Sequence, residues 1–294
     1  MSRLKNFIRN INYLTKHSLW DQREEDIVYL TNKILDDGIY EYGLDLPDKK
    51  KLSILDKENS LALLETHPKS FVRTGDGEIR LMWGLDQPFQ KYEKEVADRM
   101  LMSLRQPRED IYIGLNSGYF VSNVNSIGNS FNRRHAYDFR QFYLQNCSTE
   151  TTYIDALFTF YEFDKGKTPY YDTYFARWRK LFRDKKLVII CGEGILDHLE
   201  HDIFELAASK QFIYGPRRHA WDLHDQIIQR IQEEADKDSL LIFILGMAGK
   251  AMIPEVTDLG YMAWDMGHLA KSYNAYKTEM KPTRENIDKF FAPD

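Results

Sequence analysis

Apolar and polar positions along this chain fall into two kinds of block. Short apolar runs recur: SFVR (Ser70–Arg73), IYIGL (Ile111–Leu115), KLVIICGEG with its apolar centre at Leu187–Cys191, FIYGP, LLIFILG (Leu240–Gly246) and YMAWDMGH. Each ends in glycine, proline or charged residues, the pattern of strands buried on both faces. Between them, apolar residues recur at helical spacing and predict helices over Glu58–Glu65, Lys91–Leu104 and Trp221–Glu234, with a helical middle segment over 131–183 rich in Tyr, Phe and Arg. Strands alternating with helices predict an α/β fold, a Rossmann-like and mostly parallel sheet with helices on both faces.

The first twenty residues contain Arg3, Lys5, Arg9 and Lys16 and no acid, with Leu4, Phe7, Ile8, Ile11 and Leu14 on one helical stripe. This pattern reads either as a basic amphipathic helix that contacts a membrane surface or a partner, or as a helix that packs on its own domain. A second helix is expected from Asp21 to Asp36, before Asp37-Gly38. The polar stretch LDLPDKKK then separates an N-terminal helical extension, residues 1–57, from a main domain over residues 58–294.

Composition narrows the classes. The 294 residues carry a net charge of -5, which argues against a nucleic-acid binder with a basic face. Two cysteines, Cys147 and Cys191, form no CxxC pair and indicate neither a disulfide scaffold nor structural zinc. No apolar run approaches the ~20 residues that span a bilayer, and no signal peptide opens the chain, so a cytoplasmic location is expected. A homo-oligomer is compatible with all of this.

Ligands of open α/β sheets bind beyond the carboxyl ends of the strands. Four such ends carry suggestive residues: Arg73-Thr-Gly75-Asp76-Gly77-Glu78, Gly192-Glu193-Gly194, Gly246-Met-Ala-Gly249-Lys250, and Asp265-Met-Gly-His268. Glycine admits close backbone approach to a phosphate, and a following helix N-terminus offers it free N–H groups. Neither GEG nor GMAGK completes a dinucleotide or P-loop fingerprint. Asp76 and Glu78 are hard oxygen donors suited to Mg²⁺ or Mn²⁺ holding a substrate diphosphate, and on an extended segment both would point the same way. The competing reading makes Asp76-Gly77 a turn and Glu78 the cap of a helix beginning at Ile79. His268 could be a third ligand or a structural histidine. Arg73 and Arg217 would face phosphates. Asp265 and Glu193 are candidate general bases by position alone. The run Asp197-His198-Leu-Glu200-His201-Asp202 lacks HExxH spacing and reads as a solvated helical face. No GxSxG elbow supports nucleophilic hydrolysis.

Taken in order, SFVRTGDGE, PFQKY, IYIGL, CGEG, YGPRRHAWD and ILGMAGKAMIPEVTDLGYMAWDMGHL resemble the GT-D glycosyltransferase family over roughly residues 58–276. The resemblance implies a catalytic domain that takes a nucleotide-sugar donor, a UDP-sugar, through a divalent metal, Mn²⁺ or Mg²⁺. Asp76 and Glu78 match that family's DxE motif and His268 its closing histidine. It further implies a glycan or glycopeptide acceptor in bacterial surface polysaccharide or adhesin glycosylation. Thr74 stands where an aromatic is common, and the acidic-histidine run replaces a small-residue continuation after GEG. A metal-dependent phosphohydrolase or nucleotidyl enzyme, and a noncatalytic sugar-nucleotide-binding partner, are the alternatives.

Overall fold

The structure is a computed structural model that describes residues 52–120, 130–162 and 166–292. The expected helices before residue 37 lie outside the described residues. The chain divides into two compact units, residues 1–50 with 118–142, and residues 51–117 with 143–294. Within the first unit, the Arg140 guanidinium donates to the Tyr119 carbonyl at 3.1 Å, and the Tyr119 ring tilts against Phe139.

The second unit holds an eight-stranded sheet, all of whose pairings among the described residues are parallel. Its strands are β1 (Ser53–Ile54), β2 (Ser70–Thr74), β3 (Ile111–Leu115), β4 (Thr152–Asp155), β5 (Lys186–Gly192), β6 (Ser209–Gly215), β7 (Leu240–Ile244) and β8 (Met262–Asp265), in the spatial order β1-β4-β3-β2-β8-β7-β5-β6. Two strands escape the hydrophobic pattern. β4 interrupts the segment expected to be helical over 131–183, which divides into α4 (Ser130–Asn146), β4 and α5 (Pro169–Phe182). β1 pairs with β4 through Ser53↔Thr152 and Ile54↔Tyr153, so the sheet begins before residue 58. At two and four residues, both are too short to display alternation, and pairing alone defines them.

The remaining helices are α1 (Lys57–Thr66), α2 (Asp76–Met82), α3 (Lys94–Arg105), α6 (His224–Glu234), α7 (Gly246–Asp258), α8 (Leu269–Lys277) and α9 (Arg284–Phe291). Local chemistry starts several of them. The Asp56 carboxylate caps α1 by accepting from the Asn59 amide at 2.7 Å. Thr168 caps α5, with Pro169 in its first turn where a missing N–H costs nothing. No helix forms over Asp197–Asp202, where the chain runs through turns.

Alternate residues of the central strands serve opposite layers. Phe71, Ile189, Ile242 and Trp264 pack with Leu61, Phe175, Trp178, Tyr273 and Phe290 from α1, α5, α8 and α9. On the other layer α7 packs against β2, β7, β8, α3 and α6. With both faces covered, polar chemistry is confined to the strand ends. No described helix is long and apolar enough to cross a membrane.

Candidate active site

The chain leaving β2 turns toward β3, while the chain leaving β5 turns the other way toward β6. In open parallel sheets such divergence marks the carboxyl ends of the strands between them as the place where ligands bind. β2, β8 and β7 deliver three chain segments to it.

From β2, Gly75 leads into α2, so Asp76 and Glu78 occupy the first and third helical positions and not an extended segment. Glu78 folds back: its Oε2 accepts the Gly75 N–H at 2.7 Å, the glutamate half of a capping box whose other half glycine cannot supply. The expectation that Glu78 caps a helix is met, with the helix beginning at Asp76 and not at Ile79. From β7, Gly246 (φ +59°) opens α7, whose first turn abuts that of α2. A Cβ on Gly77 would lie 2.7 Å from the flexible end of Met247, which places the two helix starts against each other.

Between them, β8 ends in Asp265, which is buried. Its Oδ1 pairs with Arg73 Nη2 at 3.0 Å, and its Oδ2 accepts the Arg73 amide at 3.1 Å and lies 3.3 Å from Lys250 Nζ. Lys250 also donates to Glu78 Oε1 at 2.8 Å. Arg73 spends its other donors on the Asp265 carbonyl, the Ala156 carbonyl and Thr159 Oγ1. Glu78, Lys250, Asp265 and Arg73 therefore form one continuous ionic network, with both cationic side chains only 11% exposed. Burial pushes the Asp265 carboxyl up, but the charges of Arg73 and Lys250 and the Arg73 hydrogen bonds outweigh it and hold the group below the ordinary carboxylate range. A carboxylate so committed makes a poor proton acceptor and a strong anchor.

Asp76 behaves oppositely. Its pKa is raised, by burial first and then by the neighbouring Glu78 charge, and among the described residues it forms no salt bridge. The Asp76 and Gly77 amides and the Arg80 charge oppose that rise, and a carboxylate with no salt bridge among the described residues, beside a second one, suits a cation.

A second group forms farther along the same edge, at β5 and β6. Gly192 and Gly194 flank Glu193, whose carbonyl accepts the Arg217 Nε–H at 2.5 Å. A Cβ on Gly192 would lie 3.0 Å from Arg217 Cα, and Gly194 adopts φ +76° directly beneath the Arg217 guanidinium. The Glu193 and Arg217 side chains are exposed. Gly246 lies near Phe89, whose carbonyl accepts the His219 amide at 2.7 Å.

This parallel sheet, with its paired helix starts and carboxylates at the strand ends, matches a known family over most of its length. The description Glycosyltransferase GT-D fold fits residues 71–292. This chain belongs to that family. The GT-D domain is 29% identical over 250 residues to "Probable glycosyl transferase Gly" of Streptococcus gordonii, covering 83% of this chain and 36% of that protein. It is 25% identical over 254 residues to "Glycosyltransferase GlyD" of Streptococcus pneumoniae serotype 4, covering 85% of this chain and 30% of that protein. The chain thus spans about a third of the length of these relatives. Among solved structures, "A New Glycosyltransferase (DUF1792) from Streptococcus sanguinis" superposes with a TM-score of 0.68 at 24% identity, covering 81% of this chain and 93% of that one. A selenomethionine form of domain of unknown function 1792 gives 0.70 at 25%, covering 83% and 91%.

His268 follows β8 in the GT-D domain but is not drawn into a metal cluster with Asp76 and Glu78. Among the described residues, no three His, Cys, Asp or Glu side chains converge as a ready metal site. Its ring stacks on Phe290 and meets Phe291 edge-on, both at 5.3 Å between centroids. Burial, then the charges of Lys271, Arg73 and Lys250, lower its pKa to about 3, so the imidazole is neutral near pH 7.

That depression carries a stability signature. Between about pH 3 and 6.5 the unfolded chain binds a proton at this position that the folded chain refuses, so stability falls as pH falls through this window. The slope from this one group approaches about 1.4 kcal/mol per pH unit. Denaturation midpoints measured from pH 7 to pH 4 should fall less steeply in His268→Gln than in the wild type. Equal slopes would remove His268 from the account.

Lys250 is the residue whose part was not anticipated, although the GMAGK turn was. A signal was present: α7 reads GMAGKAMI, with no acid three or four residues from the lysine, so a buried ammonium had to find its partners on other elements.

Proposed function

We propose that this domain transfers a sugar from a nucleotide-sugar donor, a UDP-sugar, to a glycan or glycopeptide acceptor, with a divalent cation, Mn²⁺ or Mg²⁺, at Asp76 and Glu78. The observation that carries the reading is the pair of carboxylates, Asp76 and Glu78, in the first turn of α2 at the carboxyl end of the sheet. Two hard carboxylate donors fit a cation that completes its shell with water and substrate phosphate oxygens. His268 borders the site as a neutral imidazole.

When bound, the cation would offset charge that develops on the departing diphosphate. The chain's own residues do the rest. Asp76 and Glu78 orient the diphosphate end of the donor, and the first-turn amides of α2 and α7 face the same rim. Arg217, exposed beyond β6, reaches the phosphates or ribose, while Gly192, Gly194 and Gly246 line the nucleotide cleft without side chains in the way. Arg73 and Asp265 hold the rim in place. Preorganised charge at the leaving group is the principal catalytic term in such a scheme. The streptococcal relatives are named glycosyltransferases, and the family resemblance extends the reading to bacterial surface polysaccharide or adhesin glycosylation.

Calorimetry of UDP with Mn²⁺ and with chelator, on the wild type and on Asp76→Asn, tests this directly. Tight binding is expected only with both Mn²⁺ and Asp76. Equal UDP affinity in all four conditions would remove the metal from the reading. Release of free sugar without transfer to any acceptor would instead favour a hydrolase.

A further inference from the structure

Lys250 sits where a divalent cation bound to Glu78 would feel it most. Its ammonium is 2.8 Å from Glu78 Oε1 and 3.3 Å from Asp265 Oδ2, and its side chain is 11% exposed, too enclosed for bulk water to screen it. Both Glu78 oxygens are occupied, Oε2 by the Gly75 amide and Oε1 by Lys250. A cation that takes Glu78 must therefore displace this ammonium or share a carboxylate with it at close range.

The surroundings allow the ammonium to shift. Asp265 stays satisfied by Arg73 through two hydrogen bonds to its carboxylate, so Lys250 can leave it without stranding a buried charge. Pro254 has no N–H, so the Lys250 carbonyl lacks its ordinary donor four residues on, and the first turn of α7 is less tightly tied to the rest of the helix. Lys250 also rises from a helix start, where an incoming anion is favoured.

We propose that Lys250 is a positioning residue that makes divalent-cation binding conditional on a nucleoside diphosphate. Without the diphosphate, the lysine neutralises Glu78 and repels the cation. With it, the phosphate oxygens attract the ammonium and free Glu78 for the metal, so each ligand strengthens the binding of the other by the same factor. The inference rests on the diphosphate-site reading above and adds to it the order in which the site fills.

The test uses Mn²⁺ and UDP as probes. Mn²⁺ affinity is measured by electron paramagnetic resonance of the free ion, with and without UDP, on the wild type, Lys250→Met, Lys250→Arg and Glu78→Gln. Removing the lysine charge should tighten Mn²⁺ binding without UDP by roughly tenfold, the scale expected for a unit charge a few ångströms from a ligand carboxylate. UDP should then enhance Mn²⁺ binding much less in Lys250→Met than in the wild type, while Lys250→Arg keeps the wild-type coupling. A lysine that only glued the fold would give weaker Mn²⁺ binding when removed. If Lys250→Met binds Mn²⁺ no tighter than the wild type, yet Glu78→Gln still abolishes the Mn²⁺–UDP coupling, the role of Lys250 is overturned and the diphosphate site stands. If Mn²⁺ binding is unchanged in Glu78→Gln as well, both fall together.

Discussion

Replacing Asp265 by alanine should destabilise this domain by about 3–5 kcal/mol, the cost of leaving the buried Arg73 guanidinium without its counter-charge. Asp265 is 4% exposed and receives the Arg73 guanidinium, the Arg73 amide and the Lys250 ammonium. Its removal strands Arg73 beneath Gly267, a residue at φ +47° where any Cβ would overlap that guanidinium. Urea midpoints read the effect directly, and a melting temperature roughly ten degrees lower is expected for a domain of this size. The double variant Arg73→Met with Asp265→Ala should recover part of the loss, because it removes charge and counter-charge together. A loss below about 1 kcal/mol would mean that the network does not hold the strand ends.

The same anchor weakens in acid, in a window that starts where that of His268 is ending. The folded Asp265 carboxyl titrates below its ordinary value of 3.8, so its contribution is complete above that pH and is lost as pH falls through the lower folded value.

Glu78→Gln should reduce sugar transfer by about 10²–10³-fold while leaving the fold almost unchanged. The two effects separate because Glu78 has two tasks. Its Oε2 caps α2 through the Gly75 amide, and a glutamine carbonyl can accept that hydrogen bond equally well. Its charge, shared with Lys250 and set beside Asp76, has no replacement in the amide. Transfer is measured with whichever UDP-sugar the wild type turns over, alongside a melting curve. Turnover within threefold of wild type would show that Glu78 is a cap and nothing more, whereas a collapsed melting curve would show that the loss is structural.

The contrast between cap and ligand illustrates what can be read from a linear chain. SFVRTGDGE told of a strand followed by a glycine-flanked pair of carboxylates, and its competing reading has Glu78 capping a helix that begins at Ile79, three residues after the observed start. A glutamate just after a strand can bond back to a helix start or ligate a cation, so local sequence cannot separate the two roles. The long apolar strands were legible because five or more buried residues leave a continuous signature, as at β5 and β7. β1 and β4 were not, because pairing with a distant strand makes them strands, and their own composition does not.

Sequence alone determined the α/β class, the position of the main strand ends and the candidate chemistry at each, since burial on both faces and glycine turns are written locally. Only the tertiary structure decided what the charges do to one another. Arg73 and Asp265 are 192 residues apart, and Lys250 lies 172 residues from Glu78. Coulombic coupling depends on distance and burial, neither of which is encoded near the residues concerned. The fold therefore turned an expected phosphate-binding arginine and a candidate base into an internal ion pair, and left Asp76 without a salt bridge among the described residues.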